Sequence, residues 1–359
     1  MPVAPLAPSF DGIENYETEI AGANYPQIRV LTVKEDYQNS PQIEFTSPSP
    51  WIVCSPATAG PLSAAAYFFA RKLHTDLNVP IGIIVSAVNG SWCETWTNKA
   101  ALQTTSLLTA YIGQHQSSTL FNGMIAPLTR FAIKGFTWYQ GENNQTMIPV
   151  TDYTELNSAL IKGWRAEFNQ GELPFYYVQI TPFDDKATGN PTLNYLAKFR
   201  ETQMNIRTNV PGAGMAITMD VGEVDNHHPR YKKQVGERLA LLALNKAYNK
   251  NVQYVGPQYL SFTQSGNTVT VNFASGTAVG LSTIGGDAIR QFFFVAGADR
   301  IFRQAKAIIN GDKIIITAPP GTPLPVAAIR YAFTNYPLTN LQNWAGLPME
   351  PFRTDNWEN

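Results

Sequence analysis

Cysteine is nearly absent from this chain. Its 359 residues hold two, Cys54 and Cys93. Two cannot make a disulfide framework, and without more Cys or clustered His there is no zinc-site spacing. Charge is scarce too. Charged residues make up 15% and the formal net charge is −1, which argues against nucleic acid or a membrane surface as partner. No block of like charges occurs, and no apolar run approaches the ~20 residues that span a bilayer. Internal repeats and low-complexity segments are missing as well. Met1-Pro2-Val3-Ala4-Pro5-Leu6 lacks the basic-then-apolar pattern of a secretory leader.

What is present is core material. Apolar residues reach 44% and aromatics 12%, with seven Trp, enough for one large domain and a smaller one. Residues 1 to 25 read as loop. Ile28 to Val33 and Pro80 to Ser86 read as strands, the second a continuous apolar run of the kind covered on both faces. Between them, Pro61 to Leu77 repeats Leu62, Ala65, Ala66, Phe69 and Leu73 at helical spacing. Strands are expected at Ile133 to Trp138, Pro174 to Ile180 and Gly214 to Met219. Helices are expected at Tyr153 to Phe168, Leu193 to Ile206 and about Arg230 to Asn249. Strands alternating with helices imply a parallel sheet covered on both sides. After about residue 250 the pattern changes to short strands, with Asn310-Gly311-Asp312 a hairpin turn. The expected domains are therefore 1–250, α/β with a parallel sheet, and 251–359, a small β domain.

Parallel sheets hold ligands beyond the carboxyl ends of their strands. Three polar clusters follow predicted strands: Asn89-Gly90-Ser91-Trp92, Gln140-Gly141-Glu142-Asn143-Asn144 and Asp225-Asn226-His227-His228. Taken alone, each also fits a plain polar turn; their shared place at strand ends singles them out. A neutral imidazole at His228 can take a proton near neutral pH, and Asp225, three residues earlier, can orient it. The amides of the second cluster can donate to a developing oxyanion, and so can the Gly90 N–H.

Together these stretches resemble the SGNH-hydrolase superfamily, and within it the sialate O-acetylesterase family of carbohydrate esterases. The matching residues are Val79 to Gly82 through Gly90 to Glu94-x-Trp96, Asn122 to Leu128, Trp138-Tyr139-Gln140-Gly141-Glu142-x-Asn144, His228-Pro229 with Val235 to Leu239, Gly346 to Pro348, and Pro351 to Asp355. The resemblance implies a three-layer, flavodoxin-like α/β fold and hydrolysis of acetyl esters on sialic acid or other glycans, with no metal or cofactor. It makes His228 the general base, Asp225 its orienting carboxylate, and Gly90 and Asn144 the oxyanion donors. Gln140 and Glu142 would line or brace the site. Trp92, Trp96 and Tyr139 are candidates for a sugar-facing wall.

One departure matters. The family's nucleophilic Ser lies in a Gly-Gln-Ser-Asn-Met motif after its first strand, and neither Gly-Gln-Ser nor Gly-Asp-Ser occurs here. Met1 to Leu6 resembles the tail of that motif. The expectation is a nucleophile just upstream of Met1, in a truncated form or on a separate N-terminal segment of a split enzyme. Any export signal, and with it a periplasmic or extracellular location, would also lie upstream. The alternative is a carbohydrate-binding protein that has lost the nucleophile.

Overall fold

The computed structural model describes residues 1–7, 10–147, 149–183, 194–224 and 226–357. They divide into two compact units. The first comprises residues 1–180, 202–216 and 228–252; the second comprises 181–201, 217–227 and 253–359.

The first unit is mixed α/β. Helix α1 (Tyr16–Ala21) interrupts the segment expected to be loop. Strand β1 (Tyr25–Thr32) pairs antiparallel with β2 (Ile52–Cys54). Helix α2 (Ala64–Leu77) follows, and β3 (Ile81–Val85) then pairs with β1 in parallel. Three one-turn helices come next: α3 (Cys93–Trp96), α4 (Lys99–Leu102) and α5 (Ser106–Thr109). Strand β4 (Phe136–Trp138) leads to α6 (Asp152–Phe168). Strand β5 (Phe175–Val178), α7 (Tyr195–Asn209, of which the part from Thr202 falls in this unit), β6 (Ala213–Ala216) and α8 (Lys232–Lys246) complete the alternation. Strands β4, β5 and β6 pair in parallel.

The parallel strands fall into two three-stranded sheets, ordered β2-β1-β3 and β4-β5-β6, where the sequence suggested one. The central strand β5 is buried throughout, as its run Phe-Tyr-Tyr-Val demands. The apolar run of β3 carries the same signal but not the same burial. Only Ile81 is buried, while Gly82 is exposed and Ile83, Ile84 and Val85 are partly so. The reason is position: β3 is the edge of its sheet and has β1 on one side only. Strand β4 is likewise an edge, with Thr137 exposed.

Helices α2 and α8 pack against each other, and α8 also lies on β5 and β6. Helix α6 packs under α3 and α4, with Trp164 Nε1 donating to the Trp96 carbonyl at 2.8 Å. The Asn122 to Leu128 motif forms a π-helical turn (Phe121–Ile125) followed by a 3₁₀ turn (Ala126–Leu128). Asn122 donates from Nδ2 to the Gln38 carbonyl (2.9 Å) and accepts from the Gln42 N–H (2.9 Å). That motif is a structural tie for the loop after β1.

The second unit carries antiparallel sheets. One is ordered β12-β13-β8-β7, from β7 (Tyr259–Ser265), β8 (Thr268–Phe273), β12 (Lys306–Asn310) and β13 (Lys313–Thr317). Asn310 and Lys313 pair across the predicted hairpin. Another is ordered β11-β10-β14-β16, from β10 (Phe293–Ala296), β11 (Arg303–Gln304), β14 (Ala328–Tyr331) and β16 (Phe352–Arg353). A two-stranded ribbon joins β9 (Ser282–Thr283) to β15 (Leu341–Gln342). Buried Arg330 on β14 makes a two-point pair with Asp355, at 3.0 Å from Nε and 2.6 Å from Nη2. This gives the Pro351 to Asp355 motif a structural role.

Candidate functional site

Two of the predicted clusters meet. Beyond β3 the chain turns through Gly90, whose φ of 66° suits a residue without Cβ. Asn143, beyond β4, donates from Nδ2 to the Gly90 carbonyl. Gln140 bridges the same two loops. Its Nε2 donates to the Ser91 carbonyl (3.1 Å) and to Asn144 Oδ1 (2.6 Å), while its Oε1 accepts from the Tyr153 hydroxyl (2.9 Å). Gln140 is therefore a brace, held from beneath by α6.

Asn144 is fully buried, at 0% exposed. Its Oδ1 accepts from the Cys93 N–H (2.9 Å) as well as from Gln140. A backbone N–H can only donate, so this bond fixes which end of the amide is oxygen. The Nδ2 end donates to Glu94 Oε2 (3.1 Å) and lies 3.0 Å from Met147 Sδ, a weak acceptor. Both lone pairs and one N–H thus have strong partners within the protein, and the second N–H has only the thioether.

Glu142 sits in a different environment. Burial raises its carboxyl above the ordinary range, opposed by a bond to its own backbone and by the Lys232 charge. Buried Lys232 donates to the Tyr139 hydroxyl at 3.0 Å and lies 4.8 Å from that ring's centroid. Burial, then Glu142, pushes the Tyr139 phenol up. Lys232 is four residues past His228, so the foot of α8 reaches the Trp138 to Asn144 segment. His228 is partly exposed, with its ring edge-on to Phe10 at 4.8 Å. Asp225 lies outside the described residues.

The aromatic candidates separate. Trp96 is 2% exposed, packs edge-on to Trp138 and donates to Ser91 Oγ (2.8 Å). It builds the core and is not an open wall for a sugar. Trp92 is partly exposed and stacks flat on His115, centroids 3.9 Å apart. Tyr139 is partly exposed. Sequence reasoning gave no role to Glu94, His115 or Lys232. Glu94 stands in the quoted Glu94-x-Trp96 match, but His115 lies 21 residues away with no local signal to connect them. Among the described residues, no group of three or more His, Cys, Asp or Glu side chains could hold a metal, and no helix is long and apolar enough to cross a membrane.

Parallel strands whose outgoing loops converge on amide and carboxylate side chains define an α/β protein with a polar site at the carboxyl edge. Residues 23–245 match the family model described as carbohydrate esterase, sialic acid-specific acetylesterase, and the chain belongs to that family. The human sialate O-acetylesterase is 30% identical over 221 residues, 55% of this chain and 41% of that protein. The mouse sialate O-acetylesterase is 24% identical over 385 residues, 88% of this chain and 68% of that protein. Against the human relative, then, the chain spans less than half the length. A solved carbohydrate acetylesterase from Xanthomonas citri superposes with a TM-score of 0.86 at 35% identity, covering 96% of this chain and 77% of that one.

Proposed function

We propose that this chain supplies the base and the oxyanion donors of a carbohydrate O-acetylesterase of the SGNH-hydrolase fold. A Ser Oγ attacks the acetyl carbonyl while His228 takes the Ser proton, with Asp225 orienting the imidazole. The carbonyl oxygen becomes an oxyanion, which the Gly90 N–H and the Asn144 N–H now facing the Met147 thioether stabilise, the oxyanion displacing that weak acceptor. Collapse expels the sugar oxygen, which receives the proton from His228. Water then adds to the acyl-enzyme with His228 as base, releasing acetate and restoring the Ser. The serine comes from a Gly-x-Ser segment outside these 359 residues. In this reading that segment's strand lies between the edges of β3 and β4, whose outgoing loops are already tied by Gln140 and Asn143.

The observation that carries the proposal is Asn144: a buried amide whose oxygen and one N–H are held by the Cys93 N–H, Gln140 and Glu94, while its other N–H meets only the Met147 thioether, a weak acceptor that a substrate oxygen can displace. The test is turnover of an aryl acetate and of acetylated sialic acid and xylan by the complete enzyme, serine segment included. His228→Ala should lower kcat by about three orders of magnitude or more. Activity within roughly tenfold of the parent would remove His228 from the mechanism. The absence of a Gly-Gln-Ser or Gly-Asp-Ser motif favours a second reading, a carbohydrate-binding protein without turnover. Calorimetric binding of acetylated sugar that no serine-containing segment converts to hydrolysis would establish it.

A further inference from the structure

We infer that Glu94 is a positioning residue, and that the first turn of α3 is a clamp that aims the Asn144 amide. The inference rests on reading Asn144 as an oxyanion donor. Consecutive residues of α3 hold opposite ends of that amide: the Cys93 N–H binds Oδ1 (2.9 Å) and Glu94 Oε2 accepts from Nδ2 (3.1 Å). An amide gripped at both ends cannot rotate about its last side-chain bond, so its second N–H, which meets only the weak Met147 thioether acceptor, has one direction. An oxyanion donor must be aimed before the charge develops, because reorientation during the reaction costs barrier height. The Glu94 acceptor also polarises the amide, which strengthens what the other N–H donates.

Glu94 is itself held. It is 0% exposed, and His115 Nδ1 lies 2.6 Å from its Oε1. Each carboxylate oxygen therefore has one side-chain partner, one toward the site and one toward the surface. His115 reaches this place on an unusual backbone, since His115, Gln116 and Ser118 have φ of 45°, 57° and 67°. Non-glycine residues occupy that region at a cost and persist there when neighbours enforce it. Two bonds to α3 do so. The Ser118 N–H donates to the Glu94 carbonyl (2.9 Å), and Thr95 Oγ1 donates to the His115 carbonyl (3.0 Å). Trp92 then stacks on the imidazole with ring planes 4° apart. The chain Trp92–His115–Glu94–Asn144 supports the amide from the surface inward.

The test is a double-mutant cycle on the complete enzyme with an aryl acetate. Asn144→Ala should lower kcat by roughly 10²–10³, the loss typical of one oxyanion donor. Glu94→Ala should lower kcat by about tenfold or more with KM within about threefold, since its interaction is realised in the transition state. Glu94→Gln, which keeps an acceptor for Nδ2, should recover part of that loss. In the Asn144→Ala background, Glu94→Ala should cost almost nothing further, because residues that act through one another are not additive. An unchanged kcat for Glu94→Ala, or a loss that persists in full without Asn144, overturns the inference. A normal kcat for Asn144→Ala overturns instead the oxyanion reading beneath it. Should Glu94→Ala fail to fold, Glu94→Gln and His115→Asn enter the same cycle; Asn tolerates the left-handed backbone but is too short to keep the contact. On the chain alone, the Asn144 side-chain amide proton resonances should move on Glu94→Gln. Unmoved resonances would equally overturn the clamp.

Discussion

Gly236→Ala should destabilise the first unit, although alanine is the better helix former. Gly236 lies inside α8, and its replacement by Ala in an isolated helix gains about 1 kcal/mol. Here the added Cβ would meet the Ala65 carbonyl oxygen at 2.6 Å, the Phe68 Cβ at 2.6 Å and the Phe69 nitrogen at 2.8 Å, all on α2. Carbon pairs prefer ~3.5–4.0 Å, so the gap is short by roughly 1 Å. Two of the three obstructing atoms are backbone and cannot swing aside. The helices must separate, and core overpacking of this kind costs about 1–3 kcal/mol or more. Three simultaneous close contacts put this site at the upper end, so the net expectation is a loss of about 2 kcal/mol after the helix gain. Urea denaturation followed by far-UV circular dichroism reads it as a lower midpoint with unchanged slope. Because α8 starts just after His228, the separation should also reduce activity of the complete enzyme. A variant about 1 kcal/mol more stable than the parent would show that propensity dominates and that α2 and α8 are not in close backbone contact.

Two further outcomes follow from the same geometry. Asp355→Ala leaves the buried Arg330 guanidinium without its two-point partner. It should cost about 3–5 kcal/mol in urea denaturation, and a loss under ~1 kcal/mol would mean the pair is not buried as described. The raised carboxyl of Glu142 stabilises the fold below the unfolded-state carboxyl pKa, and that contribution disappears as pH rises through the higher folded value. The stability advantage of the parent over Glu142→Gln should therefore shrink with rising pH across that window. Lys232→Met should carry the window upward, because the larger of the two charges that hold the carboxyl down, Lys232 and the chain's amino terminus, is gone. A window that moves down, or stays in place, would refute the assigned cause.

The sequence alone determined whatever depends on neighbours along the chain. Helix α2 was legible because its apolar positions recur at helical spacing. The β12–β13 hairpin was legible because Asn310-Gly311 is itself a turn. Strand runs at β1, β3 and β5 were legible for the same local reason. Family motifs pointed to Gly90, Gln140 and Asn144 before any geometry was known. Only the tertiary structure decided what depends on residues far apart. It made β3 a half-exposed edge and β5 a buried centre, although both are continuous apolar runs, because burial is set by what packs across a strand. It put Trp96 in the core while Trp92 stacks on His115, though both had the same claim on a substrate wall. Above all it joined Cys93, Glu94 and Asn144 into one clamp. A hydrogen bond is decided by angstroms in space, and residues about fifty positions apart in sequence carry no mark of it.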